Sequence, residues 1–160
     1  MATRIQAVNS PSPEVSNLAT PINSSGIIQA FISNLPAYRA GLSPQRRGLE
    51  VGMAHGYFLL GPFTLLGPLR HTDQAYLAGL LSTIGLVVIL SACLAIYAAV
   101  SPPPPLPSVA APKPPANFER GKGWGDFTSA FLVGGIGGAA VAYLLVANIP
   151  VLSTFSILAK

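Results

Sequence analysis

Two stretches of this chain, residues 74–100 and 127–159, contain no Asp, Glu, Lys or Arg. Each exceeds the roughly 20 apolar residues that carry a helix across a bilayer. A third block, residues 51–69, approaches that length and reaches it if residues 48–50 join the same helix. Only 9% of the chain is charged and its mean hydropathy is +0.55, whereas soluble domains carry about a quarter charged residues. The fold class expected is therefore an all-α membrane protein with three transmembrane helices.

Charge between the blocks sets an orientation. Arg4, Arg39, Arg46 and Arg47 precede the first block, and Lys113, Arg120 and Lys122 lie between the second and third. Arg70 and Lys160 are the basic residues on the opposite side. The excess places the N-terminus and the second loop on the cytoplasmic face. It also accounts for the net charge of +4, and no basic patch interleaved with aromatics points to a nucleic acid.

The segments outside the spans divide by composition. Residues 1–25 are polar, hold Pro11, Pro13 and Pro21, and lack the apolar core of a signal peptide. Within residues 26–45, Ile27, Ile28, Phe31, Ile32 and Leu35 recur at helical spacing. That spacing predicts a short amphipathic surface helix on the membrane or on a neighbouring subunit, capped by Ser24 or Ser25 and closed by Pro36. Spans follow at 46–69, 74–100 and 124–148. The loop at 101–122 contains SPPPPLPSVAAPKPPA and is expected to be a stiff, extended connector. Residues 149–160 form a C-terminal tail. Cys93 lies mid-span and serves as a small apolar side chain.

The run RRGLEVGMAHGYFLLGPFTLLGPLR, residues 46–70, carries the chemistry. Glu50 and His55 sit at the start of an apolar helix, where ionisable groups are costly and mark sites. Gly48, Gly52 and Gly56 make a bare face for close approach of another helix, and Gly134 and Gly138, continued by Ala142, do the same in the third span. On an ideal helix Glu50 and His55 point about 140° apart and lie about 7.5 Å apart along the axis. One metal ion does not easily take both, so two ligands facing two directions suggest two metal-bearing cofactors. A haem between His55 and His71 is excluded by a separation of about 24 Å along a continuous helix. Magnesium in a chlorin needs one axial ligand per ring, which fits better.

Plainer readings of both residues stand beside this one. Glu50 can pair with Arg46 or Arg47 at the interface, and His55 can be a hydrogen-bonded packing residue. A small transport subunit with Glu50 and His55 as a proton relay is a further alternative. The second span offers such a relay only Ser82, Thr83 and Ser91. No paired carboxylates and no nucleophile beside a base suggest an enzyme.

From Asn34 the sequence NLPAYRAGLSPQRRGLEVGMAHGYFLLGPFTLLGPLR, with GWGDFTSAFLVGGIGGAAVAYLL from Gly123, resembles subunit XI of photosystem I reaction centres of the cyanobacterial type. The resemblance covers about residues 35–147 apart from the proline-rich loop. It implies a non-catalytic subunit of the thylakoid membrane, at the edge of the reaction centre among the core and small membrane subunits, with its N-terminus on the stromal side. It implies binding of chlorophyll a, with Glu50 and His55 as axial ligands to magnesium, and of β-carotene and lipid. It implies association with copies of itself in neighbouring monomers, as a trimer or tetramer, and the proline-rich loop resembles the tetramer-forming group. Some relatives bind calcium through an acid near the luminal loop. In GPLRHTD His71 stands where that acid often does, leaving Asp73 as the candidate calcium ligand.

Overall fold

A computed structural model describes residues 19–103, 107–110, 115 and 121–149. The tail at 1–18, most of the proline-rich loop and residues 150–160 lie outside the described residues. The described residues form four helices: α1 (Gly26–Asn34), α2 (Pro44–Leu66), α3 (Ala75–Ala99) and α4 (Gly121–Asn148). There is no strand among them.

Local chemistry sets the helix starts. Ser25 caps α1 by accepting a hydrogen bond from the Ile28 amide, and Ser43 caps α2 by accepting one from the Arg46 amide. Each satisfies one of the amides that a helix start leaves without a partner. Pro44 follows Ser43 at the first helical position, where its missing N–H costs nothing. Between the two caps, Gly41 adopts φ +77°, a left-handed conformation that glycine takes without strain. It turns the chain from α1 into α2.

The α3 end is more constrained. Ser101 follows its last turn with φ 48°, an uncommon conformation for a residue bearing a Cβ. The chain thereby leaves the helix and enters the prolines. Pro102 and Val109 are buried, and the Gln29 side chain donates to the Val109 carbonyl at 3.1 Å. Pro103 and Pro115 line a cavity of about 300 Å³ with Tyr38, Tyr97 and Trp124. The described parts of this loop therefore lie against α1 and the aromatic end of the bundle.

Packing follows rows spaced four residues apart. The buried residues of α2 include Gly48, Gly52, Gly56, Leu60 and Thr64. Those of α3 are Ala75, Gly79, Thr83, Val87 and Ser91. Such rows form the ridges and grooves of helix pairs. α2 packs most extensively on α4 and both contact α3. Val87, Phe127 and Phe131 form the core. The buried hydroxyls of Thr83 and Ser91 donate back to the Gly79 and Val87 carbonyls, each at 2.8 Å, so these polar groups are satisfied within their own helix.

Two helices among the described residues, α3 and the Lys122–Asn148 part of α4, are long and apolar enough to cross a membrane. α2 has 23 residues, about 34 Å of helix, but carries Arg46, Arg47 and Glu50 in its first two turns. α1 has 9 residues and buries none of them, exposing Ile27 and Phe31.

Candidate functional site

The glycines of α2 decide how near α4 can come. A Cβ at Gly48 would collide with the Phe127 carbonyl oxygen, at Gly52 with that of Phe131, and at Gly56 with that of Gly135. The relation is reciprocal, because a Cβ at Gly134 or Gly138 would strike the Leu49 or Met53 carbonyl. Backbone rests on backbone in both directions, the arrangement that small residues permit in lipid. Two further close approaches carry no signal in the sequence. Gly135 faces the Val87 side chain on α3, and Gly79 on α3 faces Thr64 on α2.

This contact fixes the faces on which Glu50 and His55 stand. His55 is exposed, and its ring meets Phe131 edge-on at 5.4 Å between centroids. Its Nδ1 lies 2.8 Å from the Val51 carbonyl oxygen. A carbonyl only accepts, so this contact assigns the proton to Nδ1, which donates. In that tautomer the lone pair is on Nε2. Metal-ligating histidines are commonly oriented in this way, with the ring nitrogen that does not bind the metal donating to a backbone carbonyl.

Glu50 is held differently. Its Oε2 forms an ion pair with the Arg39 guanidinium, and its Oε1 accepts from Arg46 Nε at 3.3 Å. Its side chain is 27% exposed. A carboxylate offers about four lone-pair sites, so both oxygens keep the capacity to meet a metal while the arginines balance the charge. Arg46 is the helical neighbour that the sequence offered. Arg39 lies eleven residues back, and in the sequence it bears only on orientation.

Arg47, the other partner that spacing allowed for Glu50, does something else. It is 2% exposed and donates through one terminal nitrogen to the Pro36 and Ala37 carbonyls, at 3.0 and 3.1 Å. It ties the α1–α2 linker to the start of α2.

The turn between α2 and α3 holds His71 and Asp73, both exposed. No group of three His, Cys, Asp or Glu side chains among the described residues is placed to hold a metal ion. Asp73 therefore has no companion set within the described chain.

Comparison with known proteins assigns the chain to a family. Residues 5–151 match the family of photosystem I reaction centre subunit XI. The chain is 56% identical over 142 residues to a protein of that name from Mastigocladus laminosus, covering 89% of this chain and 82% of the relative. It is 60% identical over 136 residues to the one from Trichormus variabilis, covering 85% and 79%. It is 50% identical over 159 residues to the one from Gracilaria tenuistipitata var. liui, covering 98% and 99%. The match runs through α1 to α4, including the helix that carries Glu50 and His55, and the chain belongs to the photosystem I reaction centre subunit XI family.

Proposed function

We propose that this chain is a non-catalytic subunit of photosystem I that holds antenna chlorophyll a and joins reaction centres into larger assemblies. The observation that carries it is His55, exposed on α2 with Nδ1 committed to the Val51 carbonyl, which leaves Nε2 as the other ring nitrogen. Nε2 would hold the magnesium of one ring. Glu50 would hold a second on another face, its charge balanced by Arg39 and Arg46. A carboxylate in a membrane is costly without such partners. Chlorophyll supplies light absorption and excitation transfer when bound, and the chain supplies ligation, orientation and a dry surround.

In this reading α2 is the third membrane span beside α3 and α4, and the N-terminus lies on the cytoplasmic, stromal side of the thylakoid. α1 lies on the surface there, with Ile27 and Phe31 turned to the membrane or to a neighbouring subunit. β-Carotene and lipid occupy apolar faces of the bundle. Calcium at Asp73 would draw its remaining ligands from another chain. The partners are the photosystem I core and small membrane subunits and copies of this chain, in a tetramer ahead of a trimer. A ring of heterologous contacts closes at either number with a small change of angle.

A proton relay receives no support from the geometry. Among the described residues no hydrogen bond joins Glu50 to His55: the Glu50 oxygens engage Arg39 and Arg46, and His55 Nδ1 engages the Val51 carbonyl.

The test is pigment content and native mass of the complex carrying this chain, wild type against His55→Leu. Loss of a single chlorophyll per copy, with charge separation intact, is the expected result. The native mass distinguishes tetramer from trimer. A complex without chlorophyll, or a mutant with its full pigment count, would overturn the assignment.

A further inference from the structure

α2 and α4 leave a groove along the face of the bundle that Glu50 and His55 do not line. Its deep half, about 500 Å³, is walled by Met53, Tyr57 and Val141 and floored by the small residues Gly134, Gly137 and Gly138. Its other half, about 540 Å³, lies at the α2 N-terminus among Ser43, Gln45, Arg46 and Ser129. Leu49 and Val133 line both halves, so they form one channel. From Ser129 to Val141 it follows α4 for about 18 Å, comparable to the half-thickness of a hydrocarbon core roughly 30 Å deep.

The two ends differ in chemistry. The apolar end carries no His, Asp or Glu and so no side-chain ligand of the kind proposed above for magnesium. At the other end Arg46 is 69% exposed and engages Glu50 through Nε. Its terminal nitrogens have no partner among the described residues. Arg46 is the charged side chain among the residues that line this end. A cationic, hydrogen-bonding mouth beside an apolar slot complements an anionic amphiphile.

We infer that this groove binds an anionic glycerolipid, its phosphate or sulfonate headgroup at Arg46 and Gln45 and an acyl chain laid over Gly137. The inference rests on α2 being a membrane span with its N-terminus at the interface. A carotenoid has no charged end to use the mouth. A second copy of the chain would have to present a ridge carrying an anion at one end, whereas the lipid leaflet supplies such molecules as solvent.

Gly137 allows a clean test. A Cβ there meets nothing within 4 Å, so the leucine of Gly137→Leu starts in open space and extends among the residues that line the groove. Intact complexes of wild type, Gly137→Leu and Arg46→Gln are purified, exchanged against defined anionic and neutral glycerolipids, and their retained lipids and pigments counted by mass spectrometry. Gly137→Leu is expected to lose a single anionic lipid per copy with pigments unchanged. Arg46→Gln is expected to lower the preference for anionic over neutral lipid roughly fivefold. Should Gly137→Leu fail to assemble, the Arg46→Gln preference decides alone. Unchanged anionic lipid in the variants that assemble overturns the proposal. So does loss of a pigment in place of lipid in Gly137→Leu, equal loss of neutral and anionic lipid, or a changed oligomer mass at constant lipid. A wild-type complex lacking chlorophyll would remove the photosystem reading while leaving the lipid count to stand or fall separately.

Discussion

Arg39 forms an ion pair with Glu50 from outside α2, reaching back across the Gly41 turn to a carboxylate eleven residues further on. With Arg46 it closes Glu50 on two sides. The clamp orients the one acidic group of the helix between two guanidinium groups.

Because both partners are partly exposed, the Arg39–Glu50 pair is expected to contribute only about 0.2–1 kcal/mol. A cycle of Arg39→Gln, Glu50→Gln and the double variant, followed by release of the chain from the complex on heating, measures the coupling. A value near zero would make the clamp an ornament of geometry. The same Glu50→Gln variant is expected to weaken a chlorophyll other than the one lost in His55→Leu, with additive changes in circular dichroism. Identical losses in the two variants would sink the two-ring arrangement.

Gly52→Ala forces a methyl group into the Phe131 carbonyl oxygen. Separating two packed helices in this way costs about 1–3 kcal/mol. Gly85 lies on α3, and a methyl group added there would meet nothing within 4 Å. Gly85→Ala removes a conformationally loose residue worth about 0.5–1 kcal/mol. Gly52→Ala should therefore lower retention of the chain in detergent and Gly85→Ala should leave it equal or raised. Similar behaviour of the two would mean that α2 and α4 do not meet at this distance in the membrane.

Thr64 is 5% exposed and its hydroxyl has no hydrogen-bond partner among the described residues. Replacing a buried, unsatisfied group by an apolar one of the same shape is neutral or favourable by up to about 1 kcal/mol. Thr64→Val should leave thermal release of the chain unchanged or shift it upward. A clear drop would indicate that the hydroxyl serves a bound molecule or a neighbouring subunit.

Gln29→Ala removes the bond from α1 to the Val109 carbonyl, a net contribution of about 1 kcal/mol. The expected outcome is faster hydrogen exchange at residues 107–110, with α3 and α4 unaffected. If the loop is unchanged in the variant, its position is held by the aromatic residues at the end of the bundle instead.

Some of this was legible in the chain and some was not. Apolar length announces α3 and α4, because a bilayer demands continuous uncharged helix and composition records that directly. The Ser25 and Ser43 caps are equally local, each joining residues three apart. Glu50 and His55 stood out because charge is costly at their depth, and helical geometry alone put them on different faces. The Glu50–Arg46 pair was visible at four-residue spacing, while Arg39 was hidden because a left-handed turn lies between it and its partner.

Sequence by itself thus determined the helices, their apolar lengths, the bare glycine faces and the two ligand candidates, since each depends on residues within a few turns of one another. Tertiary structure alone decided which helix each glycine meets. It paired Gly48, Gly52 and Gly56 with the α4 backbone, turned Gly135 to Val87 on α3, and buried Arg47 under the Pro36 and Ala37 carbonyls. Those relationships come from how three helices share one core. A helical period states which residues share a face, and only the packed bundle states what that face touches.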